Sequence, residues 1–228
     1  MKTCPPPPQN PICWEEVFLM AYALLTTAVF GFSVRQTASA ALGLLLSFDC
    51  FCRSSNLSLA LSSEVRPPAR HQSGAAAVWT ITLFHITAGL TSKSGLTDDT
   101  ISIGTSNARR AFLVLLLPAF LRMPRSSNRL LDLTKAQYSR LFHEARCLAG
   151  LNPGKPHMLR HGGASMDALE ETSELKLMDR GRWQHSSILK RYRRPAAYLR
   201  RLRQLTSVQL TLAHSVPRLL PGLIKKRM

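Results

Sequence analysis

After a proline-rich start, the chain enters a long apolar stretch. From Cys13 to Gly31 the charged residues are Glu15 and Glu16 alone. This pattern predicts a first helix buried on most of its sides. A second apolar run predicts a helix from about Thr37 to Ser47 that continues to about Leu61, with Pro67-Pro68 ending the section. Val78-Trp79-Thr80-Ile81-Thr82-Leu83-Phe84-His85-Ile86 then alternates with period two and is rich in β-branched and aromatic residues. It reads as a strand. A turn at Ser92-Lys93-Ser94-Gly95 and a partner strand at Thr100-Ile101-Ser102-Ile103 complete a small antiparallel hairpin.

Helical patterning resumes from Arg109 to Leu121, with Pro118 as a candidate cut. Thr134-Lys135-Ala136-Gln137 fits a capping box, and Tyr138, Leu141, Phe142, Ala145 and Leu148 give that helix an apolar face. Asn152-Pro153-Gly154 breaks it. His157 stands just before a further helix running through Ala168, and Ser173 caps a short one from Glu174 to about Arg180. The fold class is α+β, mainly α, with a small antiparallel β-sheet. There is no internal repeat.

Length and composition narrow the function. A chain of 228 residues, 45% hydrophobic, buries one substantial core. Residues 1–12, with four consecutive prolines at 5–8, form an extended leader. The net charge of +17 attracts polyanions, nucleic acid before anionic membrane. Thirteen Lys or Arg and no Asp or Glu fall between Arg180 and Met228, and residues 206–228 form a basic tail. Val17–Phe32 and Ala111–Leu121 imitate membrane spans, but both fall short of the roughly 20 residues a bilayer requires. Glu15 and Glu16 stand where a signal peptide carries bases. The five cysteines form no CxxC pair and read as reduced thiols of an intracellular protein, with Cys50 and Cys52 as small core residues.

The chemistry is carried by residues far apart in sequence. Pro156-His157-Met158-Leu159-Arg160-His161-Gly162-Gly163-Ala164-Ser165 contains His-x-x-Arg, a weak signal alone in a chain with seven His. It gains weight from Arg53 in an apolar segment, Lys93 in the hairpin turn, and Trp183 nine residues before Tyr192. Each has a plainer reading. Arg53 can pair with Asp49 four residues back, Lys93 can be a solvated turn residue, Trp183 can be core and Tyr192 a surface phenol. His157 and His161, at i and i+4, lack the glutamate and third ligand of a zinc helix, so no metal is expected.

Ordered this way, Arg53, Lys93, His157, Arg160, Trp183 and Tyr192 resemble the active-site half of a tyrosine recombinase, the phage-integrase type of DNA strand-exchange enzyme. The resemblance spans roughly residues 13–200 and implies a catalytic domain over 13–205. It implies that Tyr192 attacks the scissile phosphate to form a 3′-phosphotyrosyl bond. Arg53 and Arg160 would clamp the phosphate, and His157 would act as base or donor. Lys93 would protonate the leaving 5′-oxygen, and Trp183 would donate its indole N–H.

The chemistry is coherent. An unperturbed phenol titrates at about 10, and neighbouring cations ease its ionisation. Guanidinium groups grip phosphate oxygens bidentately. The covalent link conserves the bond, so no cofactor is implied. Arg180, Arg182, Lys190, Arg191, Arg193 and Arg194 are the candidate DNA-contacting residues, and double-stranded DNA is the partner. Members of this family assemble as tetramers by passing a C-terminal segment to a neighbour. Residues 206–228 fit that part, with Leu205, Val208, Leu210 and Leu212 as the apolar side.

Two departures stand out. Asn56 occupies the place of the acid that usually follows the first Arg by three residues. The N-terminal helical clamp domain of about 80–100 residues usual in the family is expected to be absent. The expected function is DNA integration or recombination, from a mobile element, in the nucleus of a eukaryote or otherwise in the cytoplasm and nucleoid. The alternative is a degenerate recombinase fold that binds DNA without sequence preference. His185 resembles the family's third-position residue but lies only seven residues before Tyr192. Tyr138 and Tyr198 are rival phenols at the wrong spacing.

Overall fold

The computed structural model of the chain describes residues 10–69, 78–83, 99–104 and 108–226. Its first two helices are α1 (Trp14–Thr26) and α2 (Val34–Asp49). Ser33 caps α2, its hydroxyl accepting from the Gln36 N–H. Continuation to Leu61 does not occur. Phe51 adopts a left-handed φ of 50°, which stops the helix and turns the chain. A one-turn helix α3 (Ser54–Leu57) follows, with Arg53 at its N-cap.

Among the described residues the sheet has three strands, β1 (Val65–Arg66), β2 (Trp79–Leu83) and β3 (Asp99–Ile103), all antiparallel in that order. The two longer ones realise the alternating pattern, and β1 is an addition that its two-residue length hid from patterning. Val65 lies opposite Ile81, Ile81 opposite Ile101, and Leu83 opposite Asp99. The inward side of β2 and β3, Ile81, Leu83, Ile101 and Ile103, is buried.

Helix α4 (Ala108–Arg122) runs through Pro118 without a break. Helix α5 (Lys135–Leu148) begins at the Thr134–Gln137 capping box. Then come α6 (Met158–Leu169), α7 (Glu174–Gly181), α8 (Ser186–Tyr192), α9 (Pro195–Leu202) and α10 (Ser207–Lys225). The C-terminal residues expected as a tail are therefore largely helical. Helix α10 packs on α1 and α4 through Ala213, Val216, Leu220 and Ile224, whereas Val208 is exposed. No described helix is long and apolar enough to cross a membrane.

Helix α1 is central, in contact with α2, α5, α6 and α10. Its start is tied by charge. Glu16 is fully buried and receives Arg146 of α5 at 3.3 Å and Arg201 of α9 at 2.8 Å. The backbone N–H of Trp14 donates to the Tyr198 hydroxyl at 3.1 Å. Tyr198 and Tyr138 are thus buried structural phenols, the latter beside the Ser47 hydroxyl with its pKa raised by burial.

Helix α6 lies against the end of α2 because its glycines let it. A Cβ on Gly162 would collide with the Ile12 carbonyl and the Phe48 ring. One on Gly163 would meet the Phe48 carbonyl and the Phe51 ring. This close approach brings the first turn of α6 to the segment that carries Arg53.

Candidate active site

A second, smaller core lies beneath the site: Phe51, Ala164, Leu177, Trp183 and Leu189, with Tyr192 packed on its edge. Four rings stand in a column. Phe51 stacks on Trp183 at 5.7 Å between centroids, Trp183 on Tyr192 at 4.8 Å, and Tyr192 on His161 at 4.5 Å. Offset stacks of this kind add about 0.5–1.5 kcal/mol each beyond burial, so the phenol is held in place.

Helix α6 supplies the polar side. His157, at its N-cap, meets the Tyr192 ring edge-on at 5.4 Å. The Arg160 guanidinium lies 5.2 Å from the Tyr192 centroid and 4.9 Å from that of Trp183. One arm of Arg160 donates to the Gly181 carbonyl. Its Nε and the indole Nε1 of Trp183 are both buried N–H donors with no acceptor among the described residues. Unsatisfied buried donors are destabilising, by about 1–3 kcal/mol each, and Arg35 Nε and Arg146 Nη1, away from this site, share that condition. Arg53, half-buried, completes the positive field, acting on both His157 and Arg160.

Electrostatics follow from this crowding. Burial, then the charges of Arg160 and Arg53, lowers the His157 pKa, so its imidazole is neutral at pH 7. Burial lowers Arg160 to about 10, with Tyr192 opposing and Arg53 and Arg182 adding to the shift; it remains a cation. Burial, then His157 and Arg194, lowers His161 to about 4.

Arg53, His157, Arg160, Trp183 and Tyr192 are thus near one another, while Lys93 lies outside the described residues. The candidate DNA contacts divide. Lys190, Arg191 and Arg193 are exposed, Arg193 with Glu174 at 3.9 Å. Arg194 is half-buried, its backbone N–H donating to the Ser165 hydroxyl at 2.8 Å. Arg180 and Arg182 turn inward. Arg180 forms ion pairs with Asp49 at 3.0 Å and Asp167 at 3.1 Å, and Arg182 one with Asp99 at 3.0 Å. Asp49, the candidate partner of Arg53, thus receives Arg180. Asn56 is buried, and its backbone N–H closes the α3 turn on the Arg53 carbonyl at 2.9 Å. His185 is the exposed N-cap of α8.

Two contributors to the site escaped the sequence pattern. The His161 ring stacks on that of Tyr192, and the Ser165 hydroxyl donates to the Tyr192 carbonyl at 3.2 Å. The signal was present: His157, His161 and Ser165 fall at i, i+4 and i+8, a polar stripe on one face of an otherwise apolar helix.

No family model matches the sequence, and no curated protein matches it. Solved structures do match. The XerH site-specific recombinase bound to palindromic difH substrate, in a post-cleavage complex, superposes with a TM-score of 0.57 at 15% identity over 84% of this chain. The XerA recombinase superposes at 0.56 and 14% identity over 93%. The chain spans 51% of the XerH chain and 65% of the XerA chain. Its fold is that of a tyrosine-recombinase catalytic domain.

Proposed function

We propose that the protein cuts and rejoins double-stranded DNA through a 3′-phosphotyrosyl intermediate on Tyr192. The observation that carries this reading is the convergence of His157, Arg160 and the Trp183 indole on the Tyr192 ring. A scissile phosphate bound there would accept from Arg160 and the indole N–H. Donors fixed where negative charge develops are commonly the largest contribution to such catalysis.

The Tyr192 oxygen attacks phosphorus, the bond from phosphorus to the 5′-oxygen breaks, and a 5′-hydroxyl leaves. His157, neutral at pH 7, takes the phenolic proton. Lys93 delivers a proton to the departing oxygen. Arg53 and Arg160 hold the non-bridging oxygens. Rejoining reverses these steps with the 5′-hydroxyl of another strand, as integration or recombination of a mobile element requires. Exposed Lys190, Arg191 and Arg193 contact flanking phosphates. Exchange between two duplexes calls for four copies on DNA, wherever the genome resides.

The test is incubation with a randomised library of nicked suicide duplexes. A covalent protein–DNA adduct that disappears in Tyr192→Phe is the expected result. An adduct that persists in that variant removes Tyr192 as nucleophile.

Asn56 favours a second reading, a decayed recombinase fold that binds DNA by charge. Binding with a steep salt dependence, little sequence preference and no adduct on any duplex would select it.

A further inference from the structure

We infer that Arg182 is a positioning residue, a strut that braces the segment carrying Arg53 against strand β3 and so sets the phosphate clamp. The inference rests on the strand-cleavage reading above.

The backbone supplies the first argument. Helix α7 ends on Arg182 with φ 54° and ψ 46°. Glycine adopts this left-handed conformation freely, and a residue with a Cβ resists it. For stopping the helix alone, glycine is the better residue. The arginine must supply something through its side chain.

What it supplies is a three-way bridge. The guanidinium Nε meets Asp99, the first residue of β3, at 3.0 Å. Nη2 donates to the carbonyls of Cys50 at 3.2 Å and Phe51 at 3.3 Å, and approaches the Cys52 sulfur at 3.6 Å. Those three residues form the turn between α2 and Arg53, the turn that Phe51 makes by its own positive φ. A planar fork of donors makes these contacts together, which a lysine ammonium cannot.

Position supplies the last argument. Cys50, Asp99, Ser102 and Arg182 line a polar cavity of about 300 Å³, so the bridge spans a gap that side-chain packing leaves open. The next residue along the chain is Trp183, in the ring column. One side chain thus couples the Arg53 turn, the sheet and the indole donor.

Arg182→Gly separates the two roles, because it relieves the backbone while deleting the bridge. Amide hydrogen exchange at residues 50–57 should quicken by about ten-fold, with α1 and α10 unchanged. Adduct formation in a single turnover should slow by about 10- to 100-fold, as a misplaced group predicts, with duplex affinity within about two-fold of wild type. Arg182→Lys should resemble Arg182→Gly rather than wild type. Unchanged exchange at 50–57, exchange raised throughout the chain, or an unchanged cleavage rate would each overturn the inference. If the wild-type protein forms no adduct, the cleavage reading falls, and the exchange result alone decides the strut.

Discussion

The indole of Trp183 lies stacked on the phenol of Tyr192, 4.8 Å between centroids and 29° between planes, with its N–H buried and unpartnered. Stacking and hydrogen-bond donation are therefore separable. Trp183→Phe keeps a ring in the column and deletes the donor. Single-turnover cleavage should fall by about 10²–10³-fold while thermal stability changes by less than about 1.5 kcal/mol. Trp183→Ala should in addition destabilise by about 3–5 kcal/mol in denaturant melts.

Tyr192→Phe removes one oxygen from a ring held by Trp183, His161 and His157. Adduct formation should vanish. DNA affinity by fluorescence anisotropy should stay within about two-fold, and stability within about 0.5 kcal/mol, as for a change away from core packing.

The His157 pKa lies below its ordinary 6.5 because the imidazole is buried beside Arg160 and Arg53. In the proposed mechanism its neutral form is the base, so cleavage should be level at pH 7 and above. It should decline on acidification with a midpoint below 6.5. His157→Gln should lower the rate and abolish that limb of the profile.

His161 links stability to pH. Its pKa is about 6.5 unfolded and about 4 folded, depressed by burial first. The fold therefore binds the neutral form. The contribution is complete above pH 6.5 and is lost as pH falls from 6.5 towards 4. Melting temperature should drop across that window, and His161→Phe should flatten the drop.

Neutralising Arg191 and Arg193 tests the DNA face. For every phosphate that goes unneutralised, the slope of log affinity against log salt should become shallower by about 0.9. Arg180→Ala should behave differently. It removes the Arg180 ion pairs of Asp49 and Asp167, both buried, and should destabilise by about 1.5–3 kcal/mol in urea.

Much of this was legible before any coordinates. Apolar runs gave α1 and α2, the Thr134–Gln137 box opened α5, and period-two alternation marked β2 and β3. His157, Arg160, Trp183 and Tyr192 stand out by order and spacing, and the fold brings these four side chains together. What escaped was what only long-range packing decides. Phe51 in a left-handed turn has no local signature, so α2 looked continuous with the Arg53 segment. Pro118 reads as a stop, yet packing against α10 and the sheet carries α4 through it. Arg180 and Arg182 look like DNA contacts in a basic run, because the carboxylates that claim them lie up to about 130 positions away in the chain.

The Ser165 hydroxyl accepts from the Arg194 peptide and donates to the Tyr192 carbonyl, so α6 pins both ends of the turn that leaves Tyr192. The phenol is accordingly presented to the Arg160 of its own polypeptide. Under the proposed function, blending two crippled proteins, one with Arg160→Ala and the other with Tyr192→Phe, should then restore nothing, since Arg160 and Tyr192 meet within a single subunit.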